Sequence, residues 1–145
     1  MNFLDALTTS ASGLNAQRLR MNLISSNLAN VNTTRTASGG PYKRKDAVFA
    51  AVQPSEGFAK TLQNHLNRSL TNVEVTQIVE DQRPSLLKYD PSHPDADEKG
   101  YVSLPNINII EEMVNMISAS RSYEANVTAV KTTKDMAQSA MEIGR

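Results

Sequence analysis

Residues 109–142 read IIEEMVNMISASRSYEANVTAVKTTKDMAQSAME, and no Pro or Gly interrupts the chain from Asn106 until Gly144. Ile109, Met113, Met116, Ser120, Tyr123, Val127, Val130, Lys134, Ala137 and Met141 step by four and three in strict alternation. That period places them on one face of a helix. Ile110, Val114 and Ile117 widen the apolar face in its first half. Pro105 stands just before the start, and Asn108 with Glu111 three residues later reads as a variant of the capping box. At 1.5 Å per residue the helix would be about 50 Å long, which is long for a small domain.

The other end of the chain repeats the pattern. Over residues 3–30, Leu4, Leu7, Ala11, Leu14, Met21 and Leu28 fit a heptad, with Arg18 and Ser25 as its polar interruptions. Asp5, Arg18 and Arg20 are the only charges there, and Ser, Thr, Asn and Gln fill most other positions. A solvated helix usually carries Glu and Lys on its outer face. A weakly charged face can be covered by neighbours without stranding ions in low dielectric. Neither helix is stable alone in water, because helix stability comes mostly from burying the amphipathic face.

Between the helices the texture changes. Residues 42–52 (YKRKDAVFAAV) and 73–79 (VEVTQIV) are rich enough in β-branched and aromatic residues to be strands, with 86–89 as a third. Turn formers surround them: Ser38-Gly39-Gly40-Pro41, Gln53-Pro54-Ser55-Glu56-Gly57 and the Asp90–Asp95 run DPSHPD. Residues 58–70 fit either a short helix or a loop. The expected fold is mainly α with a small β-rich insert. Residues 1–32 and 105–145 are the terminal helices, pairing as a coiled coil or helix bundle in a helical assembly, and residues 33–104 are the insert.

Composition excludes several function classes. The 15 basic and 15 acidic residues cancel. Arg18 and Arg20 against Asp5 leave +1 in residues 1–32, nine of each sign cancel in 33–104, and four basic against five acidic leave −1 in 105–145. No basic face for nucleic acid or an anionic membrane results. Without cysteine there is no disulfide and no thiolate metal site. The N-terminus has no signal-peptide pattern and no 18-residue apolar stretch occurs, so export without a cleaved signal peptide and no membrane insertion are expected. Aromatic content is only 5%, which limits the core one copy can bury.

Catalysis finds little support. No G-x-S-x-G elbow, P-loop or dinucleotide fingerprint is present. His93 with Asp90, Asp95 and Asp97 groups potential ligands, but Pro91 and Pro94 stiffen the segment as a turn, and no second histidine stands at ligand spacing. Glu111 and Glu112 diverge by about 100° on a helix and favour its N-terminus through the macrodipole. Lys43-Arg44-Lys45 alternates faces on a strand and is followed at once by Asp46, which reads as a solvated or interface edge. No catalytic residue, cofactor or metal is expected.

The run Ser25-Ser26-Asn27-Leu28-Ala29-Asn30-Val31-Asn32-Thr33 resembles the signature that ends the first helix of flagellar axial proteins, the rod and hook proteins. In it the motif positions are Ser26, Asn27, Leu28, Ala29, Asn30 and Thr33. Asn side chains bond to local backbone and tolerate left-handed conformations, so such a run ends a helix firmly. Most family members carry a Gly-Tyr pair soon after the Thr; here residues 34–41 (TRTASGGP) are interposed before Tyr42. That departure, with 13–22 (GLNAQRLRMN), 89–97 (YDPSHPDAD), 100–102, 105–108 and the tail through Ser122-Tyr123-Glu124-Ala125-Asn126, is most similar to the proximal members of the flagellar basal-body rod family.

The resemblance implies a non-enzymatic structural subunit that supports motility. It implies export by the flagellar type III apparatus and assembly across the periplasm into a hollow shaft. Copies of the chain and other rod proteins would be its partners. Leu4, Leu7, Ala11, Leu14, Met21, Leu28, Ile109, Met113, Met116, Tyr123, Val127, Val130, Ala137 and Met141 would form its assembly interface. A soluble coiled-coil adaptor that closes into a small ring is the competing reading, and a fixed small oligomer of the purified chain would favour it.

Overall fold

A computed structural model describes residues 3–52 and 71–143. The elements run α1 (Phe3–Ala29), β1 (Lys45–Val52), β2 (Asn72–Glu80), β3 (Leu86–Tyr89), β4 (Tyr101–Leu104) and α2 (Ile109–Ile143). The segment 58–70, open between helix and loop in the sequence, lies outside the described residues.

The two helices pack side by side and antiparallel. Asn27, near the end of α1, bonds Glu112 in the first turn of α2, while Gly13 lies against Asn126. Fourteen positions separate each pair of residues, traversed in opposite directions. A Cβ at Gly13 would stand 3.1 Å from the Asn126 carboxamide, so glycine sets how closely the helices approach there. Asn108 caps α2 as expected: its Oδ1 accepts from the backbone N–H of Ile110 at 3.0 Å and of Glu111 at 3.5 Å. A return bond from Glu111, the other half of the expected box, is absent among the described residues.

The insert is two antiparallel ribbons, β1 with β2 and β3 with β4. Opposite Val48 and Phe49 the register slips, Val48 pairing with Gln77 and Phe49 with Val75. Thr76 is the extra residue of this bulge, and its hydroxyl donates to the Val48 carbonyl at 3.2 Å. β1 starts at Lys45 rather than Tyr42, because the preceding residues are engaged with α1. The strand β4, which the sequence did not single out, pairs with β3 from Leu86 opposite Leu104 to Tyr89 opposite Tyr101. Gly100 turns the connecting loop with φ +80, and a Cβ there would meet Tyr89 at 3.0 Å.

The first ribbon lies along α1. Lys45 is held at Asn27, and at the other end the Val73 N–H donates to the Ser12 hydroxyl at 3.1 Å. Eight strand residues reach about 26 Å, and the fifteen helical steps from Ser12 to Asn27 about 23 Å, so the lengths match. Burial is sparse. Among the described residues, the buried apolar side chains are Ala16 and Ile24 on α1, Ala119 on α2, and Val102, Pro105 and Ile107 at the end of the insert.

Candidate assembly surfaces and the polar node between the helices

Where α1 ends, the motif residues perform two separate tasks. Asn30 closes the helix: its side-chain N–H donates to the Ser26 carbonyl at 2.9 Å, and its Oδ1 accepts from the Thr33 hydroxyl at 3.1 Å. The turn completes with the Thr33 N–H donating to the Asn30 carbonyl at 3.0 Å and the Tyr42 N–H to the Thr33 carbonyl at 3.1 Å. Of the two means by which Asn was expected to end the helix, the side-chain bond to local backbone is the one used: among the described residues only glycines have positive φ.

Asn27 looks inward and is 0% exposed. Its carboxamide treats Lys45 as a neighbouring strand would, accepting from the Lys45 N–H and donating to the Lys45 carbonyl, both at 2.9 Å. It also donates to Glu112 Oε2 at 3.1 Å and accepts from the Tyr42 hydroxyl at 3.1 Å. Glu112, 1% exposed, accepts at its other oxygen from Arg44 Nε at 2.8 Å. Burial works against the Arg44 cation, but the bonds to Glu112 and Asp46 outweigh it and hold its pKa above the usual arginine value. Every polar group at this meeting point of α1, α2 and β1 has a partner, which is the condition for burying it.

The sequence reading missed this node. Glu112 does stand in the first turn of α2 but also turns into the helix pair, and of the solvated or interface edge expected at Lys43-Arg44-Lys45, Arg44 takes the buried side as the counter-ion of Glu112. The available signal was the placing of Glu112, which with Glu111 interrupts the apolar run of Ile109, Ile110, Met113 and Val114.

The predicted stripes divide between the intramolecular seam and the outer surface. On α1 the buried residues Ala16, Ile24 and Asn27 lie roughly opposite Leu4, Leu7 and Ala11 around the helix, whereas Met21 and Leu28 stand close beside Ile24. Of the heptad, Leu4 and Ala11 are exposed, and Leu7, Leu14, Met21 and Leu28 are half-buried. On α2, Met116, Tyr123, Val130 and Ala137 are half-buried alongside Glu112 and Ala119, whereas Ile109, Met113, Val127 and Met141 are exposed. The widened face is the barest: Ile110 is 74% exposed, and Val114 and Ile117 are exposed beside it. Leu87, Tyr89 and Tyr101 are exposed on one face of the second ribbon, with the two tyrosine rings edge to face at 5.3 Å, and Leu86 is exposed on the other face. Neighbouring apolar residues left exposed in this way, as at Ile110, Val114 and Ile117, are the kind of surface used for interaction.

The His93 turn serves backbone geometry. Asp97 Oδ1 already accepts from the N–H groups of Lys99 at 2.9 Å and Tyr101 at 2.8 Å. His93 Nδ1 accepts from the Asp95 N–H at 3.1 Å, and the Asp90 carboxylate, bonded by Ser92, is held below its usual pKa. Among the described residues, no group of three or more His, Asp or Glu is placed to hold a metal ion. No described helix is long and apolar enough to cross a membrane.

The terminal helices pair through a thin seam and present apolar residues outward, the layout of an α-helical pair with a small β insert. Comparison with known proteins makes this specific. Residues 7–35 match the family described as flagella basal body rod protein, and residues 98–143 match the flagellar basal body rod FlgEFG protein C-terminal family. The chain is 46% identical to the flagellar basal-body rod protein FlgC of Borreliella burgdorferi, over 99% of this chain and 98% of that protein. Against FlgC of Bacillus subtilis identity is 43% over 100% of both chains, and against FlgC of Aquifex aeolicus 44% over 98% and 97%. The chain belongs to the flagellar basal-body rod protein family, and its role is structural.

Proposed function

We propose that this chain is a subunit of the proximal part of the flagellar rod, the drive shaft, and that it joins the shaft through the outward faces of α1 and α2. The observation that carries the reading is the uncovered apolar face of α2 around Ile110, Val114 and Ile117, joined by Leu4 and the half-buried heptad of α1. In the shaft the terminal helices pair as a coiled coil and pack against copies of this chain and against other rod proteins. A contact repeated without ring closure generates a helical tube. Torque then passes through close-packed helices, which transmit strain rather than absorb it. The chain reaches its place across the periplasm through the flagellar type III apparatus, and no chemical step is assigned to it.

Folding and assembly are coupled. The seam inside one chain fully buries only Ala16, Ile24 and Ala119 among its apolar residues, so its burial holds the pair only weakly. Hydrogen exchange on the dilute monomer should find residues 3–29 weakly protected, and the same residues strongly protected in isolated basal bodies. Strong protection in the monomer would overturn the coupling. Leu14→Asp and Val127→Asp should each block rod assembly while leaving the insert folded. Normal assembly of both variants would remove these stripes from the interface.

A further inference from the structure

We infer that the buried node of Asn27, Arg44 and Glu112 is a register lock, which selects one alignment of α1 against α2 and fixes the start of β1 to it. The inference stands on the geometry of a single chain and does not depend on the rod reading.

The helix seam specifies its own alignment poorly. Along α2 it runs Glu112, Met116, Ala119, Tyr123, Asn126 and Val130, a four-and-three repeat, so a slide of seven residues lays the stripe back on itself. Opposite it α1 offers Gly13 and Ala16, with Ile24 as its one bulky buried apolar residue. Asn27 and Glu112 break that degeneracy. In the observed alignment their side chains meet at 3.1 Å, and Arg44 completes Glu112 at 2.8 Å. After a slide, Glu112 would leave Asn27 and Arg44, and the buried Asn27 would keep Lys45 and Tyr42 but lose the carboxylate its N–H faces. The node therefore penalises wrong alignments more than it stabilises the right one. A buried pair replaced whole by apolar groups is often neutral, whereas a pair that loses one member strands a charge. Because Asn27 also binds both backbone groups of Lys45, the alignment reaches the β1–β2 ribbon lying along α1.

Absence of native cysteine makes the alignment directly readable. Three cysteine pairs would be introduced in the full chain: Gly13→Cys with Asn126→Cys for the observed alignment, and Gly13→Cys with Ala119→Cys or Thr133→Cys for slides of seven residues either way. In a glutathione redox buffer, the chain with the intact node should form the 13–126 disulfide and only traces of the others. With Asn27→Leu, Arg44→Met and Glu112→Met combined, the 13–119 or 13–133 disulfide should rise to a yield comparable with 13–126. The urea midpoint of that triple variant, without added cysteines, should match or exceed the parent's. Glu112→Ala alone should lower the midpoint clearly. Continued selection of 13–126 in the triple variant would overturn the lock. So would loss of helix in the triple variant, or a midpoint as low as that of Glu112→Ala, since the node would then be a stability element. An unselective parent would overturn it as well.

Discussion

At the scale of single residues, Asn27 carries more of the structure than its position in a helix-terminal motif suggests. Its carboxamide serves a strand backbone, a carboxylate and a phenol at once, a combination that matches both its donors and its acceptor. Asn27→Ala leaves the Lys45 N–H and Glu112 short of partners at a buried site, a loss of about 3 kcal/mol readable as a lower urea midpoint. Asn27→Asp is expected to be worse, because it replaces the donor facing Glu112 with a second negative charge. Gly100→Ala should cost about 1 kcal/mol or more, because alanine resists φ +80. Amide resonances of β3 and β4 are the place to observe it. Gly13→Leu should push α1 and α2 apart, whereas Gly13→Ala sets a gain in helix propensity against the 3.1 Å approach of Asn126.

Among the elements, α2 separates two surfaces that a substitution series can tell apart. Ala119 is buried against α1, so Ala119→Asp strands a charge in the seam and should abolish the helix pair in the isolated chain. Ile110 and Val114 face outward, so Ile110→Asp or Val114→Asp should shift monomer stability by no more than about 0.5 kcal/mol. The same changes should prevent incorporation into basal bodies. Calorimetry of the purified variants and electron microscopy of host cells provide the two readouts. Loss of monomer stability equal to that of Ala119→Asp would place this face inside the subunit instead. The helix spans were legible in the sequence almost to the residue, because period and punctuation are local. The 72–80 and 86–89 strands were legible for the same reason. β4 was not: its four residues carry too short an alternation to stand out, and only pairing with β3 defines them.

For the molecule as a whole, the balance of burial decides behaviour. One chain covers Ala16, Ile24, Ala119, Val102 and Ile107, and leaves Leu4, Ile110, Met113, Val114, Ile117 and Met141 outside. The free faces are apolar at Leu4 and from Ile110 to Ile117, and the charges that continue the α2 face, Arg121 and Glu124, are of opposite sign. Association through them should therefore change little with sodium chloride and strengthen in sulfate, which favours burial of apolar surface. Sedimentation of the purified chain across both salts tests this; steep weakening by sodium chloride would point to charge-driven contacts instead. A concentration-dependent series of growing species is expected rather than one closed ring, because the heptad face of α1 and the exposed face of α2 are different surfaces.

The sequence alone determined that both ends are helices, that a short β insert separates them, and that their outer faces would tolerate burial. Those features follow from period, turn chemistry and charge, which each segment carries by itself. Tertiary structure decided which face of each helix turns inward. A heptad shows that a stripe exists but not which neighbour covers it, and here the seam of α1 faces away from Leu4, Leu7 and Ala11 yet borders the predicted stripe at Met21 and Leu28. It also decided the roles of Arg44 and Glu112, 68 residues apart. Their partnership exists only once α2 folds back along α1, and a buried charge is read as exposed until its counter-ion is in view.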